Sequence, residues 1–184
     1  ITLDGKIAWT FQLNGAINSP PAIHNDKLYF GTSDRHLYAF SLEKREIIWS
    51  FKTENEIAST PTIWKKTLFF CADKNFYALD VETGQEKWRF LTQGVIYCTP
   101  AINGNFVYFG SYDTHFYALD IETGQEKWRF QTGYWRASTP AIRNDIAYLP
   151  ASVTLYVVDS ITGTKKWDFV AKSQIFPPTV SEKL

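Results

Sequence analysis

The chain has 184 residues, with 19 Lys plus Arg against 19 Asp plus Glu and a formal net charge of zero. Such a balance offers no field that would gather nucleic acid or an anionic membrane surface, so neither is expected as a partner. No apolar run approaches the roughly 20 residues of a membrane-spanning helix, and no charged, apolar and small signal segment opens the chain. Aromatic residues make up 17%, a bias toward pleated, half-buried surfaces, and the length suffices for a sizeable core. The chain begins at Ile1 and holds no Met, which points to a processed or partial product of a longer reading frame.

In chain order, residues 7–11 read as a lone strand carrying Trp9. Trp49, Trp88, Trp128 and Trp167 follow at separations of 40, 39, 40 and 39 residues. Pro21, Pro61, Pro100, Pro140 and Pro178 form a second ladder with nearly the same period, so the chain is a repeat. Units are expected at 17–52, 57–91, 96–131 and 136–170, with a last unpaired strand at 175–181. Each unit holds four short apolar runs separated by turn residues, as in CTPAI, VYFGS, FYALD and KWRF of the third. These are four strands. Runs such as VYFG and LYAF are apolar at consecutive positions, the pattern of a strand covered on both faces. The fold expected is all-β: a propeller of four-stranded antiparallel blades, four of them complete, in which each blade buries its faces against the next. A ring of seven or eight blades would need more chain, or two copies of this one closing it between them.

Fifteen residues from Phe76 to Phe90 recur from Phe116 to Phe130 with one change, Val81 to Ile121. They cover the third strand, a hairpin and the fourth strand. Thr83-Gly84 and Thr123-Gly124 supply the positive φ of a tight turn, and Asp80 and Asp120 are placed to accept from its backbone N–H groups. The tryptophan that follows suits the wedge between diverging blades, its N–H reaching a carbonyl next door. Trp9, Trp49, Trp88, Trp128 and Trp167 are therefore read as docking residues. The first complete unit departs, with Ser41 in place of Asp and Arg45 in place of Gly, and a different turn is expected there.

The pattern A-x-D-x-x-T-G-x-x-x-W, at Ala78–Trp88, Ala118–Trp128 and more loosely Val157–Trp167, resembles the tryptophan-docking repeat of pyrroloquinoline-quinone (PQQ) type propellers. The likeness covers nearly the whole chain. It implies the propeller fold and an extracytoplasmic place, periplasmic or at the cell surface. It does not select an activity, because the family includes quinoprotein dehydrogenases, BamB-type assembly lipoproteins and sensor domains of receptor kinases.

With the first strand of each blade along the axis, the loops entering it and those joining strands two and three share one face, the funnel mouth. Candidates for binding a ligand or protein partner there are Asp34, Tyr97, Tyr112, Asp113 and the run Tyr134, Trp135, Arg136, aromatic and cationic groups suited to stacking or anchoring. The loops SDRH and YDTH place His36 and His115 beside Asp34 and Asp113. They lie two blades apart, too far for one metal ion, so turn capping is expected and no metal site is assigned. His24 belongs to a turn on the opposite face. Cys71 and Cys98 should approach one another from neighbouring blades, which leaves a bridge open.

For an enzyme, the resemblance implies PQQ, calcium held by acidic and amide side chains, and an Asp as base; the candidates on the mouth are Asp34, Asp73, Asp113, Asn55 and Arg136. The adjacent cysteine pair and the long insertions of the dehydrogenases are missing. No catalytic residue is assigned and no cofactor is expected, so a scaffold binding a protein or peptide is the first reading. A PQQ-dependent dehydrogenase or a ligand-sensing domain of a larger receptor is the alternative.

Overall fold

Short β-branched and aromatic runs, each closed by a turn that only a left-handed residue can make, dictate the architecture. In the computed structural model, which describes residues 9–133 and 139–179, they form four antiparallel four-stranded sheets and no helix. The first blade comprises β1 (Ala22–His24), β2 (Lys27–Gly31), β3 (His36–Ser41) and β4 (Glu46–Lys52). The second comprises β5 (Thr62–Trp64), β6 (Thr67–Ala72), β7 (Asn75–Asp80) and β8 (Glu86–Leu91). The third comprises β9 (Ala101–Asn103), β10 (Phe106–Gly110), β11 (His115–Asp120) and β12 (Glu126–Gln131). The fourth comprises β13 (Ala141–Arg143), β14 (Ile146–Ala151), β15 (Thr154–Asp159) and β16 (Lys165–Val170). The blades stack in chain order without closing a ring. Residues 9–13 and 174–179 carry no ladder, and residues 7–8, 134–138 and 180–181 of the expected strands and loops lie outside the described residues.

Consecutive apolar residues serve two different cores. All six residues of β6 are buried. Leu68, Phe70 and Ala72 pack toward the first blade with Tyr29, Leu37 and Ala39, whereas Phe69 and Cys71 pack toward the third with Val107 and Phe109. A third layer joins Tyr108, Phe116 and Ala118 to Ala147, Leu149 and Val158. The strand period of two thus splits one apolar run between two interfaces.

At the outer corner the duplicated segment works as one device. A β-bulge interrupts each ladder between strands three and four beside the tryptophan, as between Ala78 and Leu79. Asp80 Oδ1 accepts from the N–H groups of Glu82 and Thr83 at 3.1 and 3.0 Å, and Gly84 follows at φ 71°. The indole of the preceding blade then lies on that glycine. A Cβ at Gly84 would stand 2.6 Å from Trp49, at Gly124 2.6 Å from Trp88, and at Gly163 2.8 Å from Trp128. Each indole N–H also donates across the joint: Trp49 to the Val81 carbonyl at 3.2 Å, Trp88 to Ile121 at 3.3 Å and Trp128 to Ser160 at 2.9 Å. Trp9 stacks on Phe40 at 5.6 Å with the Arg45 guanidinium over its ring. Trp167 is 51% exposed.

The different turn expected in the first blade is not found. Arg45 adopts φ 59°, and its N–H donates to the Ser41 carbonyl at 2.9 Å, as Gly84 N–H does to Asp80. Ser41 Oγ accepts from Lys44 N–H at 3.1 Å in place of the carboxylate. The bulge and hairpin length impose the left-handed residue whatever its side chain, and an arginine bears the conformational cost of roughly 1–2 kcal/mol.

The glycine floor can be measured against a glycine that has none. Gly104 sits at φ 58° with nothing near its would-be Cβ, so Gly104→Ala should cost about 1 kcal/mol through backbone strain alone. Gly124→Ala adds the collision with Trp88 and should cost about 2–4 kcal/mol. Urea unfolding of the two variants checks the difference, and equal losses would remove the docking floor from the account.

The turn carboxylates also link folding to pH. The Thr83 and Thr162 N–H donors hold the Asp80 and Asp159 carboxyls below the usual range. At Asp120 partial burial pushes upward, but donors from Thr123 and Lys127 outweigh it and the net shift is also down. A folded-state pKa below the unfolded value gives stability that is present above the unfolded pKa of about 3.9 and lost as pH falls through the lower folded value. The urea midpoint should therefore drop below about pH 4. Replacing Asp80, Asp120 and Asp159 together with Asn should flatten that drop.

Candidate functional site

Backbone hydrogen bonds define the funnel face. Thr53, Thr92 and Thr132 each follow a fourth strand, and each donates from both N–H and Oγ1 to the last carbonyl of the loop between strands two and three. The acceptors are Arg35, Lys74 and Thr114, at 2.9–3.0 Å. Ile96 N–H donates to the Asp73 carbonyl at 2.8 Å and Tyr112 N–H to Val95 at 2.9 Å, tying neighbouring loops together. The two loop sets therefore share one side, and the turns at Asp26, Lys66, Asn105 and Asp145 share the other with the hairpins.

Asp34 and Asp113 sit where two long loops need an acceptor. The Asp113 carboxylate takes bonds from the Tyr117 hydroxyl at 2.8 Å, Gln93 N–H at 3.0 Å and His115 N–H at 3.1 Å. Asp34 takes bonds from the Thr32 and Tyr38 hydroxyls. Partial burial pushes its carboxyl upward, but these donors and the neighbouring His36 bring it below the ordinary range. His36 Nδ1 and His115 Nδ1 lie 2.9 Å from the carbonyls of Asp34 and Asp113, each ring closing its own loop. No group of three or more His, Cys, Asp or Glu among the described residues is placed to hold a metal ion.

Tyr97 and Tyr112 come together. Their rings meet edge to face at 5.2 Å, and Tyr97 is 59% exposed. Tyr97 also lines a depression of about 280 Å³ with Asn55, Glu56, Ala58, Asp73 and Val95. Asn55 Nδ2 donates to Asp73 across it at 3.3 Å. This patch of one aromatic pair, one amide and two acids spans the second and third blades. Tyr134, Trp135 and Arg136 lie outside the described residues. His24 stands at the end of β1 on the opposite side, 3.1 Å from the Asn25 amide.

Cys71 and Cys98 are neighbours, buried, and free thiols. Burial raises both, Cys98 to about 12 and Cys71 well above the usual thiol value. Each has a place in a clamp that repeats in the first three blades. Ser19 Oγ accepts from Gly31 N–H at 2.8 Å, Ser59 Oγ from Cys71 N–H at 2.7 Å, and Cys98 Sγ from Gly110 N–H at 3.2 Å. Sequence reasoning missed this clamp, although a small hydroxyl or thiol residue two positions before Pro21, Pro61, Pro100 and Pro140 was there to find it.

Cys98→Ser should preserve the bond that Ser59 makes and change stability by less than about 1 kcal/mol, whereas Cys98→Val strands the Gly110 N–H at a cost of about 1–3 kcal/mol. Urea midpoints test the pair. Neither thiol of the folded chain should react with iodoacetamide at neutral pH, since the thiolate is suppressed.

The family described as outer membrane protein assembly factor BamB matches residues 2–66 and 58–174. Among solved structures, the chain is similar to BamB from Moraxella catarrhalis at 16% identity and a TM-score of 0.68, covering 91% of this chain and 66% of that one. The quinohemoprotein alcohol dehydrogenase of Comamonas testosteroni aligns at 16% identity and a TM-score of 0.73, covering 87% of this chain and 35% of that one. For the quinohemoprotein alcohol dehydrogenase ADHIIG of Pseudomonas putida HK5 the figures are 15%, 0.74, 89% and 35%. No curated protein matches the sequence. At such identities the likeness is one of fold, and the chain spans just under two thirds of BamB and about a third of either dehydrogenase.

Proposed function

Because the chain belongs to the family of the outer membrane protein assembly factor BamB, we propose that it works as a non-catalytic propeller scaffold that binds a protein or peptide on its funnel face. The observation that carries this reading is the Tyr97–Tyr112 pair, an exposed aromatic edge held on hydrogen-bonded loops beside a shallow, partly polar depression. Aromatic groups that stay rigid when free lose little entropy on binding and are enriched among the residues that dominate interface energy.

The PQQ and calcium that the resemblance to quinoprotein dehydrogenases implies find a poor fit among the described residues. Calcium takes six to eight oxygen ligands, yet the Asp34 and Asp113 carboxylates are engaged by donors of their own blades. Asp73 faces Asn55, with Glu56 on the same depression, and no group of three or more His, Cys, Asp or Glu among the described residues gathers there. The adjacent cysteine pair is missing, and Cys71 and Cys98 are buried in the blade interface. A location outside the cytoplasm goes with the same reading. No helix among the described residues is long and apolar enough to cross a membrane.

Peptides selected against the folded chain from a random display library should bind at the funnel face. Tyr97→Ala should weaken them at least about tenfold while leaving the thermal midpoint unchanged. In parallel, titration with PQQ and calcium should give no saturable quinone spectrum and no alcohol-dependent dye reduction. Quinone binding with turnover would sink the scaffold reading, and selected peptides indifferent to Tyr97 would move the binding face elsewhere.

A further inference from the structure

Between the first and second blades, where the funnel face meets the outer wall, lies a groove of about 460 Å³ lined by Arg35, Phe51, Lys52, Glu54, Tyr77 and Arg89, with Thr53 between them. Its floor holds an anomaly visible only by comparison with the other blades. Each blade places a tyrosine on its third strand with the hydroxyl at the funnel end. In the first blade Tyr38 donates to Asp34 at 3.1 Å, and in the third Tyr117 donates to Asp113 at 2.8 Å. In the fourth, Tyr156 turns to the Thr132 carbonyl at 2.9 Å. Tyr77 of the second blade is 2% exposed, and its hydroxyl has no hydrogen-bond partner among the described residues.

The cause is one missing residue. The loop between strands two and three runs Thr32-Ser33-Asp34-Arg35 in the first blade and Ser111-Tyr112-Asp113-Thr114 in the third, but only Ala72-Asp73-Lys74 in the second. Asp73 takes the left-handed position at φ 54°, which Arg35 and Thr114 occupy in the longer loops, and its carboxylate goes to Asn55 instead. A second donor is orphaned by the same deletion. Gln93 N–H, one residue past Thr92, donates to Asp113 at 3.0 Å. Its counterpart one residue past Thr53, Glu54 N–H, has no partner among the described residues.

Two donors that converge on a carboxylate in the third blade thus converge on open space in the second. Around them stand Arg35 and Lys52, neither ion-paired among the described residues, and Arg89, which forks onto Glu86 at 2.7 and 2.9 Å. We infer that this groove binds a carboxylate from outside, the side chain of an acidic residue on a polypeptide partner, which takes at Tyr77 the place that Asp113 takes at Tyr117. The charge count favours a single negative group. Arg89 is already neutralised by Glu86, and Glu54 offsets one of the two remaining cations, so the surplus matches one carboxylate better than a dianionic phosphate. The assignment rests on the scaffold reading and gives it a specificity, an acidic segment lying across the joint between the first and second blades.

The probe is a capped hexapeptide with one Glu among Gly and Ser, titrated into the ¹⁵N-labelled chain while the Glu54 amide is followed. A saturable shift of that amide is expected, absent with the Gln counterpart. Tyr77→Phe keeps the buried ring and loses only a hydroxyl without an internal partner, so it should fold normally and bind about tenfold more weakly, as for loss of one hydrogen bond to a charged group. A second variant exchanges residues 73–74 for the three residues of 112–114, supplying an internal carboxylate, and should abolish binding. No saturable shift, or equal affinity in Tyr77→Phe, overturns the assignment. Saturable binding of inorganic phosphate that depends on Tyr77, without peptide binding, overturns it in favour of a free anion. Tyr97→Ala separates this proposal from the one beneath it: display-selected peptides that need Tyr97 but ignore Tyr77 would remove the groove and leave the funnel-face scaffold standing.

Discussion

An indole lying flat on a left-handed glycine holds the blades in register, and most of what the chain does locally serves that contact. The aspartate at the end of the third strand binds the turn, the turn forces positive φ, and the residue that tolerates positive φ best is also the one with no Cβ to lift the ring. The bulge beside the tryptophan turns the fourth strand so that its ring reaches the neighbour while its N–H finds the neighbour's carbonyl. Local turn chemistry and long-range docking therefore make the same demand at one position, the consistency across levels that specifies a single fold. Arg45 shows the demands coming apart: the turn geometry persists with a side chain present, and the guanidinium takes a place over Trp9.

Docking at the outer corner leaves the funnel face to be held by other means. The Thr53, Thr92 and Thr132 clamps pin each incoming loop to the one beside it, and Ser19, Ser59 and Cys98 pin the first strand to the end of the second. These bonds hold backbone, so loop side chains can vary without loss of shape. Tyr97 and the half-buried Tyr112 are presented on such a frame, which is why the exposed Tyr97 edge there is a preorganised surface rather than a floppy one.

The architecture was legible in the sequence because it is written several times. A tryptophan at a period of 39–40 residues, apolar runs without alternation and a duplicated hairpin each constrain the same answer. The docking carbonyls and the aspartate caps followed from side-chain chemistry alone. What stayed hidden depended on what a residue faces across the blade joint. Nothing local marks Cys98 as a serine substitute accepting from Gly110, and Arg45 reads as a change of turn until the hairpin is seen to tolerate it. Turn capping is expected of the loops holding Asp34 and Asp113, but not that the caps reach Tyr38 and Tyr117, which lie four residues on in sequence and beside the carboxylates only after the strand has turned back. Of the rim residues named from sequence, Tyr97 and Tyr112 meet, and Asp34 and Asp113 prove to be structural acceptors.

The alternation between 40 and 39 residues is the smallest irregularity in the repeat and the most informative about binding. A perfect repeat satisfies every polar group in the same way in every blade, and its grooves are then equivalent and chemically closed. Deleting one loop residue removes the aspartate that satisfies the tyrosine in both longer loops and, in the third blade, a backbone donor as well. The fourth blade, equally short, closes the gap through the Thr132 carbonyl, so the deletion alone does not create an opening. At Tyr77 the hydroxyl has no hydrogen-bond partner among the described residues, and the missing carboxylate leaves the proposed socket, its pattern of donors known from the blade beside it. Repetition thus does more than build the scaffold: it supplies the internal standard against which a single unsatisfied hydroxyl can be read as a place for something else to bind.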